Sequence, residues 1–550
     1  MDAGGCDSAR CDRGHDLFFV SMRKKILISA ALVIYFCSTL WLTVGVPASF
    51  TSPDENANYI FAESMLQTGS LAVHDDVTAQ LDSLVHPRSA LAVGEFIVPG
   101  GFLGLPFVAG LFGRLVGVFD LRLLTPILLV LALLAWFATV KKLTKNEVFA
   151  YVATTMLALQ PAVWHYAART MMPNVGFSCF LIFAAWLVVV RPFKRAWLEF
   201  LLAGLGVGLA AFFRLSELVW IVPAVIAVAI NYRKEVSGKL PWIMLIIGFA
   251  LPLAVNASLN VALYQQPWST GYTVVDSHVS AEAIDHTASI TTIPPKRSII
   301  NLLIPFGVHP KAIVKNVWHY GIGLFWWLSI LAGIGIYVSL REKGSWRKLA
   351  IGTLILATWL GVLYGSWSFN DNPDPTAITI GDSHLRYWLP LFVLATLFAT
   401  KALLQVLLKN KLNLKHHRVL VPGVAALFIL PALLVFGGSD GLIKTRQVLL
   451  ASAAKREVIL AETEANSIVV VDRADKFLWP YRHVIQPLRS EATYAAMPIA
   501  VKLAPLYYFG IPFPEVDLNY LNNDKLGSMG LKIELIDEIG DEALYRISVK

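Results

Sequence analysis

Apolar residues in this chain come in long unbroken runs, not in the alternation of an exposed strand or the one-sided stripe of a soluble helix. Leu240–Leu263, Trp318–Leu340 and Leu349–Trp367 contain no Asp, Glu, Lys or Arg. About 20 mostly apolar residues span a bilayer, so each run predicts a transmembrane helix. The first run, Ile26–Val46, comes after Met22-Arg23-Lys24-Lys25 and reads as a signal anchor. It is too long for a signal-peptide core. Residues 1–22 form a polar leader unlike the rest of the chain, expected to be disordered or non-native. The run Phe96–Phe119 is also long, but Pro99, Gly100, Gly101, Gly104 and Pro106 punctuate it. Gly and Pro disfavour a straight helix. It therefore reads as a broken or interfacial element returning to its own side; the alternative is a true span, balanced by one more elsewhere. Beyond about Gly437 no run is long enough to cross. Lys444–Ala465 reads as a helix, Ile468–Val471 as a buried strand and Ala543–Ser548 as a terminal strand.

These elements predict a polytopic α-helical membrane protein. Its transmembrane module covers 23–436, with a first outer loop at 48–95 and a large one at 265–316. A small α/β domain, 437–550, completes the chain. Composition agrees: 56% of the 550 residues are hydrophobic and 15% charged, with a mean hydropathy of +0.60. Soluble domains carry about 25% charged residues. The net charge of +8 does not call for nucleic acid here, because Lys and Arg collect in cytoplasmic loops. Lys141–Lys145, Arg191–Arg195, Arg233–Lys239, Arg341–Lys348 and Lys409–Arg418 are such loops, and the loops between them are poor in Lys and Arg. The asymmetry predicts a cytoplasmic N-terminus, eleven net crossings and an extracytoplasmic C-terminal domain, in the plasma membrane. Cys6, Cys11, Cys37 and Cys179 suggest no disulfide framework.

The candidate chemistry gathers in the outer loops. After the first span comes Thr51-Ser52-Pro53-Asp54-Glu55. Ser52 suits an N-cap, Pro53 the first helical position, and Glu55 completes a capping box. Asp54 and Glu55 thus sit in the first turn of a helix that stops at Gly69. The helix dipole favours negative charge there. Both acids could simply cap the helix, but Ser52 and Glu55 already satisfy the cap, which leaves Asp54 for chemistry. Arg169, Arg214 and Arg386 lie at outer ends of spans. Guanidinium binds phosphate bidentately, although an arginine there also snorkels to headgroups.

A single span followed by a loop helix beginning Asp-Glu resembles the GT-C superfamily of membrane glycosyltransferases. The nearest likeness is to the family 39 type, which includes protein O-mannosyltransferases and the lipid A aminoarabinose transferase. His86-Pro87-Arg88 is similar to a His-Pro-Pro stretch of that group, with Arg88 departing from it. Ala168–Asn174 resembles a second outer loop ending in Pro-Asp, with Asn174 replacing the acid. Gly208–Arg214, Gly271-Tyr272 and the His384–Pro390 stretch with Arg386-Tyr387 resemble later motifs. The resemblance covers roughly Arg23 to Phe436 and implies an Asp base, hence Asp54 with Glu55 beside it. It also implies a polyprenyl-phosphate-linked sugar as donor and a bundle of about eleven to thirteen transmembrane helices. Donor-phosphate partners would be Arg386, Arg214 and Arg169, with His86, Arg88, Tyr272 and His384 as substrate-loop candidates.

The expected reaction is sugar transfer to an acceptor hydroxyl of a glycan, lipid or protein, inverting, with one carboxylate base. No metal is assigned: Asp285-His286 and its neighbours have no diagnostic ligand spacing, so nothing in the residues supports a divalent cation or another cofactor. The rival is a membrane transporter or a lipid-carrier flippase. Transporters place polar groups near the midplane, whereas here the span centres are nearly uncharged. Trp318, Tyr320, Trp326 and Trp327 read as an interfacial belt.

Overall fold

The structure, a computed structural model, describes residues 32–117, 120–233, 235, 236, 238–273, 303–369, 376–409, 426, 427 and 429–550. The leader, the start of the first span, most of the loop 265–316 and the basic loop 410–418 lie outside the described residues.

Among the described residues, seven helices are long and apolar enough to cross a bilayer: Leu121–Thr144, Pro173–Val190, Ala196–Phe213, Leu215–Tyr232, Leu240–Tyr264, Ser345–Gly365 and Leu389–Val406. An eighth crossing is possible if Pro310–Gly323 and Trp326–Arg341, bent by 96°, form one broken span. The chain is a multi-pass helical membrane protein, but the expected eleven to thirteen helices are not reached among these residues. One reason lies near Gln160. The apolar run 147–168 divides into helices Glu147–Ala158 and Pro161–Ala168. Pro161 has no N–H to continue the ladder, and the Gln160 side chain accepts from the Val163 amide to start a new helix.

The run Phe96–Phe119 is not a straight span. It opens as strand β3 (Phe96–Pro99), turns at Gly100-Gly101 and continues as a 13-residue helix, Gly104–Val116. That helix is too short to cross. It packs against α1, Pro53–Thr68, the helix that carries Asp54. Strand β3 pairs antiparallel with β1 (Val73–His74) and β2 (Ala90–Val93), so the first loop contains a small sheet of order β1-β3-β2.

The C-terminal part opens with helix Leu442–Glu462 and builds a five-stranded sheet of order β5-β4-β6-β8-β7. Here β4 is Ile468–Val471, β5 His483–Ile485, β6 Leu506–Gly510, β7 Leu531–Ile539 and β8 Glu542–Val549. The first three strands are parallel, and β8 and β7 run antiparallel. All four residues of β4 are buried, because apolar material covers both faces of a central parallel strand. On one face Val469 and Val471 join Phe61, Met65 and Ile97 of the first loop in one core cluster. Ile468 and Val470 face the other side with Tyr508 and Ile533. The sheet thus shares a core with α1.

Candidate active site

The start of α1 forms as its sequence predicts. Ser52 is the N-cap, Pro53 is the first helical residue, the capping box with Glu55 is closed, and Gly69 ends the helix at φ 80°. A capping side chain contributes about 1 kcal/mol, which fixes where the first turn begins and hence where Asp54 points. The two neighbouring acids then differ in role. Glu55 is buried, and its carboxylate is gripped bidentately by Arg169, through Nε at 3.1 Å and Nη2 at 2.7 Å. Asp54 stays about one-third exposed, with 36% of its side chain open. Its Oδ1 accepts the Ser89 hydroxyl at 2.5 Å, and its Oδ2 lies 3.5 Å from Arg386 Nη1.

Arg386 lies in the last turn of a short helix, Ser383–Tyr387, capped by Asp382. Its Nη1 also reaches Met172 Sδ at 3.0 Å, and the Asn174 side chain donates to its carbonyl at 3.1 Å. So Asn174, where the resemblance expects an acid, steadies the Arg386 backbone. The Asn174 Oδ1 is buried without a hydrogen-bond partner among the described residues. The guanidiniums of Arg386 and Arg214 both lie on the Tyr387 ring, 5.2 Å and 4.5 Å from its centroid. Arg214 is also 5.7 Å from Phe102, whose ring meets Tyr272 edge-on at 5.1 Å. Tyr272 is 46% exposed as a residue, while its hydroxyl lies beside Gly101. Burial of that hydroxyl, and then the Asp54 carboxylate, push the phenol above its ordinary range. At neutral pH it is therefore an uncharged donor. Gly271 allows the approach: a Cβ there would stand 2.3 Å from the Gly100 backbone.

Asp54, Arg386, Arg214 and Tyr272 thus converge on one site. The other sequence candidates do not point at Asp54. Arg169 is committed to Glu55. Arg88 is committed to Asp475, which accepts its main-chain N–H at 3.0 Å and its Nη2 at 2.6 Å. His86 bonds the Pro87 carbonyl at 2.9 Å, and burial lowers its pKa, which keeps the ring neutral. His384 is fixed by Asp382 at 2.6 Å and the Trp367 carbonyl at 3.1 Å, and it stacks on Tyr320 at 5.1 Å. It buttresses the Arg386 helix. Tyr320 is therefore part-buried, whereas Trp318 and Trp326 stay exposed.

Sequence reasoning missed three participants. Ser89 is 35 residues from Asp54, with nothing local to mark it. Glu217 is buried and accepts from Arg214 Nε at 2.9 Å, from the Tyr364 hydroxyl at 2.5 Å and from the Trp220 indole. The i,i+3 spacing of Arg214 and Glu217 was a readable sign. Asp475, which fixes the residue before Ser89, belongs to the C-terminal part.

Residues 99–257 match the family model described as dolichyl-phosphate-mannose-protein mannosyltransferase. No curated protein matches the chain in sequence. Among solved structures, ArnT from Cupriavidus metallidurans in the apo state is similar, with a TM-score of 0.51 and 15% identity over 96% of this chain and 98% of that one. The same protein bound to undecaprenyl phosphate gives a TM-score of 0.51 and 12% identity over 95% and 97%. The archaeal oligosaccharyltransferase AglB from Archaeoglobus fulgidus gives 0.49 and 12% over 88% and 69%. The resemblance to the GT-C membrane glycosyltransferases therefore stands on a sequence match inside the transmembrane module and on a fold shared with ArnT along nearly the whole chain.

Proposed function

We propose that this protein transfers a sugar from a polyprenyl-phosphate carrier to an acceptor hydroxyl at the outer face of the membrane, with Asp54 as the single base. The observation that carries this reading is the setting of Asp54: a part-exposed carboxylate between a hydroxyl and a guanidinium, beside a second arginine stacked on the same tyrosine. The acceptor oxygen bonds to the anomeric carbon as the bond from that carbon to the carrier phosphate breaks. The bonding pair leaves on the phosphate oxygen, and the acceptor proton passes to Asp54. Attack opposite the leaving group inverts the carbon. Arg386 and Arg214 meet the charge that grows on the phosphate, where fixed donors lower the barrier most. A phosphate needs no proton in order to leave, so no general acid is required. The binding of undecaprenyl phosphate by ArnT, a protein of similar fold, supports the choice of carrier.

The test uses membranes containing the full chain and a panel of labelled undecaprenyl-phosphate hexoses and pentoses, mannose among them. A positioned base contributes about 10²–10⁴-fold, so Asp54→Asn should lower turnover by that order at matched abundance. Consumption of no donor by the parent chain, or near-parental turnover in Asp54→Asn, overturns the reading.

A further inference from the structure

Ser89, in contact with Asp54, has a left-handed backbone. Its φ is +62°, in the left-handed region that a residue with a Cβ avoids at a cost. Such strain persists only where the surroundings over-determine it, and it clusters at functional sites. The surroundings here are identifiable. On one side, Asp475 accepts the main-chain N–H of Arg88 at 3.0 Å and clasps its guanidinium. Asp475 is fully buried, so this anchor does not drift. On the other side, the Gly100 N–H donates to the Ser89 carbonyl at 2.9 Å. Gly100 sits so close that a Cβ on it would stand 2.8 Å from the Ser89 carbonyl carbon. From Ala90 onward, β2 pairs with β3. The result of this restraint is one contact: the Ser89 hydroxyl donates to Asp54 Oδ1 at 2.5 Å.

We infer that Ser89 is the positioning residue of the base. Its hydroxyl occupies Oδ1, fixes the plane of the Asp54 carboxylate and leaves Oδ2, on the Arg386 side, as the atom that takes the acceptor's proton. A carboxylate without such a donor turns about its terminal torsion, which is broad for Asp. Charge-assisted hydrogen bonds are short and strong enough to prevent that turning. The strained backbone is the means by which a loop residue 35 positions away reaches the first turn of α1. This inference rests on the reading of Asp54 as the base.

The decisive variant is Ser89→Gly. Glycine adopts φ +62° without a steric cost, so this variant removes the hydroxyl while relieving the strain. A purely structural role predicts unchanged turnover per folded molecule. A positioning role predicts that kcat falls about tenfold or more, with the KM for the donor little changed and the Tm no lower than the parent's. The assay uses whichever undecaprenyl-phosphate sugar of the panel above the parent consumes most rapidly. Ser89→Gly in the Asp54→Asn background should cost nothing further, because Ser89 acts through Asp54. Ser89→Asn, which tolerates the left-handed region and keeps a donor, should recover part of the lost kcat. Unchanged kcat in Ser89→Gly overturns the inference, and so does a change confined to KM. An additive loss in the double variant overturns it too. Near-parental activity of Asp54→Asn alone is a different failure: it removes the base itself and with it the reading underneath.

Discussion

Two neighbouring carboxylates, Asp54 and Glu55, have different partners here. Glu55 and Arg169 form a buried bidentate pair at the foot of α1, 4% and 12% exposed. Breaking such a pair strands a charge and costs roughly 3–5 kcal/mol, somewhat less when the replacement still accepts one hydrogen bond. Glu55→Gln should therefore lower the Tm of the detergent-solubilised protein clearly, while turnover per folded molecule stays within about tenfold of the parent. The opposite result, normal stability with collapsed turnover, would move the base from Asp54 to Glu55. Arg386 makes the complementary case. It lies 3.5 Å from Asp54 and over Tyr387, in a geometry that a lysine cannot copy. Arg386→Lys keeps the charge but loses the planar fork. The expected effect is a donor KM raised about tenfold or more, with a smaller change in kcat; a KM equal to the parent's would demote Arg386 to a snorkelling anchor. At this scale the sequence was informative where interactions are local. The capping box at Ser52–Glu55 is a short local pattern, and it forms as read. The pairing of Glu55 with Arg169 spans 114 residues, and no local rule reaches that far.

Between elements, the first loop is fixed from outside itself. In the first-loop sheet β1 pairs with β3 over only two residues, so its own ladder holds the 75–89 stretch weakly. The C-terminal part, through β5 and the helix before it, holds the loop in place instead. Val85 bridges to Ile485, Asp75 bonds His483 at 2.8 Å, Trp479 packs on Phe61 at 5.6 Å, and Lys476 donates to the Thr51 carbonyl at 3.2 Å. Asp475 completes the set through Arg88. All these contacts fall on α1, the residue chain just before it or the loop that leads to Ser89, so the C-terminal part braces the residues around Asp54 from behind. Asp475→Asn weakens the clasp without emptying the space. It should lower kcat several-fold and raise protease cleavage within 75–95, although Asp475 does not touch Asp54. Cleavage and kcat both at parental levels would show that the loop is held by its apolar contacts alone. The strand Ile468–Val471 and the helix before it were legible in the sequence because four consecutive β-branched residues mark a buried strand. The role of the domain was not legible, because Arg88 and Asp475 are 387 residues apart.

For the molecule as a whole, the loops that the charge asymmetry assigns to one side are the loops that meet. The first loop, the Arg169–Asn174 turn, the Arg214–Glu217 turn, Gly271-Tyr272 and the Ser383–Tyr387 helix all contribute to one site, beside the C-terminal sheet. Away from the site, Lys401 on the helix Leu389–Lys409 pairs at 2.6 Å with Glu342, in the basic loop Arg341–Lys348. On the proposed function a carrier lipid would enter this site sideways from the bilayer, and the side on which the site lies decides which acceptors it would meet. We expect the site to be extracytoplasmic, since Lys and Arg mark the cytoplasmic loops. The check is cysteine labelling in intact cells, on a chain whose four native cysteines are replaced by serine. Glu491→Cys, on the exposed start of a helix in the C-terminal part, should react with a membrane-impermeant maleimide. Lys142→Cys, at the exposed end of Leu124–Thr144, should react only after the membrane is opened. Turnover measured on each variant confirms that the labelled population is folded. Labelling of position 142 and not 491 would invert the topology. The site would then face the cytoplasm, and the acceptor would have to be sought there. The fold and the Asp54 chemistry would survive that result; the outer-face assignment would not.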